Sequence, residues 1–103
     1  MEHLEIVRER LSEGKFDFSH HAFKRSVERN ISLAEIREAG KLIEVIEDYP
    51  DDKYSPSCLL LGLTVNGRPL HIQVSLGNLE IIRIITLYEP DENEWIDYKE
   101  RRR

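Results

Sequence analysis

The chain is poor in several of the features that most quickly assign a function. Of its 103 residues one is cysteine and five are glycine, and basic residues are outnumbered, 15 Lys and Arg against 20 Asp and Glu. A lone Cys58 excludes an internal disulfide, and its apolar surroundings suit a small packed hydrophobe. The scattered glycines build no Gly-rich phosphate loop. A membrane span would need about 20 consecutive apolar residues, and no such run exists. A net charge of −5 argues against unspecific nucleic-acid binding driven by phosphate neutralisation. The opening Met-Glu-His-Leu-Glu lacks the basic-then-apolar order of a signal peptide, so a cytoplasmic location and no membrane partner are expected. Metal-ligand spacing is missing too. The histidines are His3, His20, His21 and His71, and adjacent His20 and His21 diverge on a helix instead of forming the i, i+4 pair of a helical zinc site. No metal and no cofactor are expected.

What is present reads as one soluble α+β domain spanning residues 1–103. Leu4, Val7 and Leu11 predict a helix over Glu2–Glu13, stopped by Gly14, as glycine commonly does. Phe16 and Phe18 sit in a short connection. Ser19 is a good N-cap for a helix over His20–Asn30, with Phe23 and Val27 predicted to face the core. Ser32 and Glu35 have capping-box spacing ahead of a third helix, Leu33–Ala39. Charge is uneven: residues 14–31 carry Lys15, Lys24, Arg25 and Arg29 against Asp17 and Glu28, whereas 32–57 are acidic.

A four-stranded, mainly antiparallel sheet is expected to follow, from Lys41–Tyr49, Cys58–Val65, Leu70–Leu76 and Leu79–Tyr88. Asn66-Gly67 predicts a two-residue hairpin, which would set Leu63 opposite Leu70 and His71 opposite Gly62. The same reasoning, with a second short turn, places Ile84, Thr86 and Tyr88 on the face of His71, and Arg83 on the other. Arg83 leaves three readings open: snorkelling outward, pairing with an acid, or entering a site. A short C-terminal helix from Asp91, with Trp95 docking on the body, and a frayed basic tail over 96–103 complete the expectation.

His21, Arg25 and Arg29 recur every four residues and so share a helix face. With His71 and Tyr88 on the sheet they are the residue types needed to cleave RNA through its 2′-hydroxyl: a base, an acid and cations around the phosphorane. His21, His71 and Tyr88 are thus catalytic candidates, and Arg25, Arg29 and Arg83 phosphate-binding ones. The same stripe also reads as a solvated helix face. The enzymatic reading requires His71 and the helix stripe to open into one cleft.

The ordered set Ser19, His21, Ala22, Arg25, Arg29, Ile31 and Ser32, then Pro69-Leu70-His71-Ile72, then Ile85-Thr86, Tyr88, Pro90 and Trp95, resembles the family called domain of unknown function 4258, over about residues 16–95. That family is similar in layout to RelE-like and BrnT-like toxins. The resemblance implies N-terminal helices over an antiparallel sheet, a ribonuclease toxin acting on RNA, and a cognate antitoxin as partner. RelE-like toxins are usually basic and place catalytic Arg and Lys on the sheet and tail, where this chain offers Arg83 and Arg101–Arg103. Two other readings stand beside it: a non-catalytic module whose groove captures an acidic peptide or helix, and a ParE-like inhibitor of a DNA-topology enzyme. Oligomeric state is not legible.

Overall fold

A computed structural model describes residues 3–103; Met1 and Glu2, where the first helix was expected to begin, lie outside them. Three helices form where caps and periodicity place them. α1 (Leu4–Ser12) buries Val7 and Leu11, and the chain leaves it through Gly14 at φ +80°. α2 (His20–Glu28) starts at Ser19, whose hydroxyl accepts from the Ala22 amide at 3.0 Å. α3 (Leu33–Gly40) carries the complete Ser32/Glu35 capping box.

The sheet has five strands, not four. β1 (Phe16–Phe18), β2 (Glu44–Tyr49), β3 (Ser57–Leu63), β4 (Pro69–Ser75) and β5 (Ile82–Tyr88) lie in the order β1-β5-β4-β3-β2. All neighbours are antiparallel except β1, which runs parallel to β5 with Phe16 beside Ile82 and Phe18 beside Ile84. Three residues are too few for a period-2 pattern to announce a strand, and the partner lies 66 positions away in the chain. A second sheet consists of β6 (Trp95–Ile96) and β7 (Glu100–Arg101). It replaces the expected C-terminal helix. Asp91 caps only a single turn, with the Glu94 and Trp95 amides on its carbonyl, before Trp95 is drawn onto the sheet and the chain reverses through Asp97 and Tyr98, both at positive φ. The tail expected to fray is tied down as far as Arg102, whose amide donates to the Glu94 carbonyl at 2.8 Å.

The β3–β4 hairpin is one residue out of the expected register. Leu63 faces Pro69, Leu61 faces His71 and Gly62 faces Leu70. Asn66 is not at positive φ, whereas Gly67 is, at +83°. The Gly67 amide bonds Thr64, and the Thr64 amide bonds Arg68. This is a three-residue loop closed by glycine in the left-handed region, the common alternative to a two-residue turn. Because side chains alternate, the slip exchanges the two faces of β3. Gly62 therefore meets α3: a Cβ there would lie 2.4 Å from the Ala39 carbonyl oxygen.

The helices cover one face of the sheet. Val7, Leu11, Ala22, Ile36 and Ala39 pack there with Leu60, Leu70, Ile72, Val74, Ile82, Ile84 and Leu87, all fully buried. Burying each of the large aliphatic side chains is worth about 1.5–3 kcal/mol. An irregularity in the β4–β5 ladder between Thr86 and Ile84 lets Ile84 and Leu87 both face this core, so Ile84 does not share the His71 face as expected. Arg83 is on that face instead, next to buried Ile82 and Ile84. α2 also departs from expectation. It buries Ala22 and Ser26, small residues that allow close approach to β5, and turns Phe23 (57% exposed) and Val27 (66%) to solvent.

Candidate functional site

His71 lies on the face of the sheet away from the helices, and it is fully buried under the β6–β7 hairpin. Its ring meets Trp95 edge-on at 4.4 Å between centroids. Nε2 is 2.6 Å from the Tyr98 carbonyl oxygen, and Nδ1 is 3.1 Å from the Tyr88 hydroxyl. A carbonyl only accepts, so Nε2 carries the proton, and in the neutral ring Nδ1 accepts from the phenol. Burial holds the His71 pKa below its ordinary 6.5, opposed by the Tyr98 carbonyl and by Glu47. The imidazole is thus neutral near pH 7, in one tautomer. Burial likewise raises the Tyr88 phenol above 10.0, so the proton stays on tyrosine.

Tyr88 reaches from this buried ring to a cleft of about 550 Å³ that it lines with Arg29, Arg68, Glu89, Asp91 and Glu94. Arg29 is the C-cap of α2. Its Nη1 donates to the Leu87 carbonyl at 2.8 Å, and its Cζ stands 6.0 Å from the centre of the Tyr88 ring. Ser19 anchors the other end of α2 by donating to the Ile85 carbonyl at 3.0 Å. The helix is therefore pinned along β5 at both ends, which is what brings Arg29 to Tyr88.

Of the six site residues expected from sequence, three converge: Arg29, Tyr88 and His71, the last behind the cleft and not in its wall. The other three go elsewhere. His21 is exposed on α2, and its side chain makes no hydrogen bond among the described residues. Arg25 pairs with Glu28 at 2.7 Å, an interaction that holds the Glu28 carboxyl below its usual range. Arg83 closes a two-pronged pair with Asp17 at 3.0 and 3.2 Å, the acid-pairing option among its three readings. It borders a separate groove of about 700 Å³ with Gln73, Ser75 and Ser19.

Sequence reasoning missed Arg68 and Glu47, and offered Arg101 only as part of the terminal basic run. Arg68 donates to both Glu35 oxygens, to Glu89 at 2.7 Å, and to the carbonyls of Arg29 and Asn30. It thereby fixes the α2–α3 junction against the cleft. Its pKa is raised, first by Glu89 and then by Glu35, and Glu35 is lowered, first by the Ser32 amide. Arg101 donates twice to Glu47 at 2.8 and 3.0 Å and lies 4.7 Å over Trp95, clamping the hairpin over His71. That pairing is the main reason the Glu47 pKa is low. No local pattern announces contacts between residues 33 or 54 positions apart. Trp95 docks as expected, 3% exposed. Among the described residues no three His, Cys, Asp or Glu side chains gather as a metal site would need, and no helix is long and apolar enough to cross a membrane.

Compared with known proteins, residues 18–89 match the family described as Domain of unknown function (DUF4258). That span contains both the α2 stripe and the His71–Tyr88 pair. No curated protein and no solved structure matches the chain.

Proposed function

The chain belongs to the DUF4258 family, whose description carries no activity, and we propose from the geometry that it is a metal-independent endoribonuclease of toxin type. The observation that carries this reading is the Tyr88–His71 hydrogen bond, at 3.1 Å, with the phenol in a cleft wall beside Arg29. Tyr88 is the group that touches substrate. It takes the proton of an attacking 2′-hydroxyl as it passes its own to Nδ1 of His71, and the 2′-oxygen forms its bond to phosphorus as the 5′-oxygen leaves. The leaving oxygen is protonated from water at the open side of the cleft. His71 is a positioning and proton-storing residue, and Glu47 offsets the charge it gains. Arg29 neutralises the phosphorane. His21, Arg25 and Arg83 take no part in this step. The RelE-like layout and a cognate antitoxin belong to the same proposal.

The test is cleavage of several RNA substrates by the purified protein with a chelator present. Cleavage is expected, and Tyr88→Phe, which keeps the ring, is expected to slow it by about 10²–10⁴-fold, the usual range for a positioned acid–base group. No cleavage of any substrate, or a Tyr88→Phe protein as fast as the parent, would refute the assignment. A specific observation favours a second reading, that of a non-catalytic binding module. Glu89, Asp91 and Glu94 share the cleft with the two arginines, Arg68 is already paired with Glu35 and Glu89, and the chain as a whole is acidic. Absence of cleavage across several substrates selects that reading. The ParE-like reading needs no acid–base pair and is distinguished by inhibition of a DNA-topology enzyme.

A further inference from the structure

β1 is a terminal strand of its sheet, and only one of its edges is used. The Lys15 carbonyl accepts from the Ile82 amide at 3.1 Å, and the Ser19 amide donates to the Ile84 carbonyl at 2.9 Å. In a parallel ladder alternate residues turn toward the partner, so the N–H and C=O groups of Phe16 and Phe18 point away from β5. Outside the ladder neither residue makes a backbone hydrogen bond among the described residues. Along this open edge runs a groove of about 680 Å³, walled by Phe23 of α2 and by Leu33 and Arg37 of α3. Phe23 and Leu33 are 57% and 60% exposed, an apolar wall beside unpaired backbone.

The carboxylates on this surface are neutralised by basic neighbours, and one cation is left over. Glu13 is paired with Lys15, and Asp17 with Arg83. Arg37 has no carboxylate partner among the described residues, its Nε donating only to the Ser12 carbonyl. We propose that the groove receives an extended segment of a partner protein, added to β1 as a further strand, with apolar residues at alternate positions over Phe23 and Leu33 and a carboxylate toward Arg37. Backbone pairing along the edge supplies affinity and the alternate side chains supply specificity. A docked helix would cover the Phe16 and Phe18 backbone without pairing it, which costs free energy. A second copy of this chain would offer Arg37 the same cation and no unpaired carboxylate. The inference is independent of any chemistry at Tyr88.

The test pans a library of displayed random peptides on the full chain. Selected peptides are expected to alternate apolar and polar residues and to carry Asp or Glu at one end. Each, made synthetically, is expected to bind about tenfold or more weakly to Phe23→Glu and to Arg37→Glu, both exposed positions whose variants should melt near the parent. Hydrogen exchange on the parent should show the Phe16 and Phe18 amides becoming protected with peptide, while the Ser19 amide, bonded already, does not change. Four results would overturn the proposal. They are no selection above background, peptides insensitive to Phe23→Glu, binding that leaves the Phe16 and Phe18 amides exchanging freely, or a peptide-free dimer abolished by Phe23→Glu.

Discussion

Gly62→Ala isolates the contact that sets how closely α3 can lie on the sheet. An added Cβ would be 2.4 Å from the Ala39 carbonyl oxygen and 2.9 Å from the Ala39 carbonyl carbon and Cβ. Ordinary contact begins near 3.4 Å, so helix and strand would have to separate by about 1 Å, comparable to shifts that overpacked cores make. α3 has nowhere to go. On its far side Gly40 already lies so near α1 that a Cβ would come within 2.6 Å of the Leu11 Cβ. Overpacking of this kind costs about 2–3 kcal/mol, which for a chain of this size lowers Tm by roughly 10–20 °C. Urea denaturation of the variant should show a lower midpoint with the slope unchanged. Gly67→Ala is the comparator: nothing lies within 4 Å of its Cβ position, so its cost is that of left-handed backbone alone, about 1 kcal/mol. In the register of a two-residue hairpin, Gly62 would face His71 across open sheet and alanine would be neutral or stabilising by about 0.4–1 kcal/mol. A Gly62→Ala protein as stable as the parent would refute both the register and the close packing of α3.

Arg68→Met should remove the partner of Glu35 and Glu89 and of two carbonyls at the α2–α3 junction. A loss of about 1–2 kcal/mol is expected by urea denaturation, and no loss would show the cluster to be a surface ornament. Stability should also fall with pH in two windows. The folded state holds the His71 pKa below 6.5, so the unfolded chain takes up more protons as pH drops through 6.5, and stability declines from there until the folded-state value is passed. Glu35 and Glu47 are held below 4.5, so their contribution is complete above 4.5 and is lost as pH falls through their folded values. A denaturation midpoint that stays level from pH 7.5 to about 5 would contradict the buried, neutral His71. Cys58 is fully buried, and burial pushes its thiol up to about 12. A thiol reagent should modify it only at the rate of unfolding, and rapid labelling of the native protein would contradict its position in the core.

The helices were legible because their signals are local: Ser19 and Ser32 as caps, Gly14 as a stop, Leu4, Val7 and Leu11 as a seam. So were β3, β4 and β5, where apolar residues run long enough to declare strands, and so was the docking of Trp95. The errors fall where a local signal is compatible with more than one tertiary partner. A three-residue loop closed by Gly67 and a two-residue turn at Asn66-Gly67 use the same dipeptide, yet differ by one residue of register and so by which face of β3 meets the helices. The outward turn of Phe23 and Val27 was missed because a helix wheel identifies a stripe but not what opposes it. Against the close edge of β5 the small residues Ala22 and Ser26 pack better than an aromatic ring.

By itself the sequence determined the residue types, the helix ends, the strand alternation and the family likeness, since each depends on neighbours a few positions apart. Only the tertiary structure decided which of them meet. Arg29 reaches Tyr88 because Ser19 and Arg29 both anchor α2 to β5, and His71 is buried because Arg101 and Glu47 clamp the C-terminal hairpin over it. His21 and Arg25, on the same helix stripe, are left out. Contacts between distant segments are set by packing and chain closure over the whole molecule, and the spacing of residues along one helix does not contain that information.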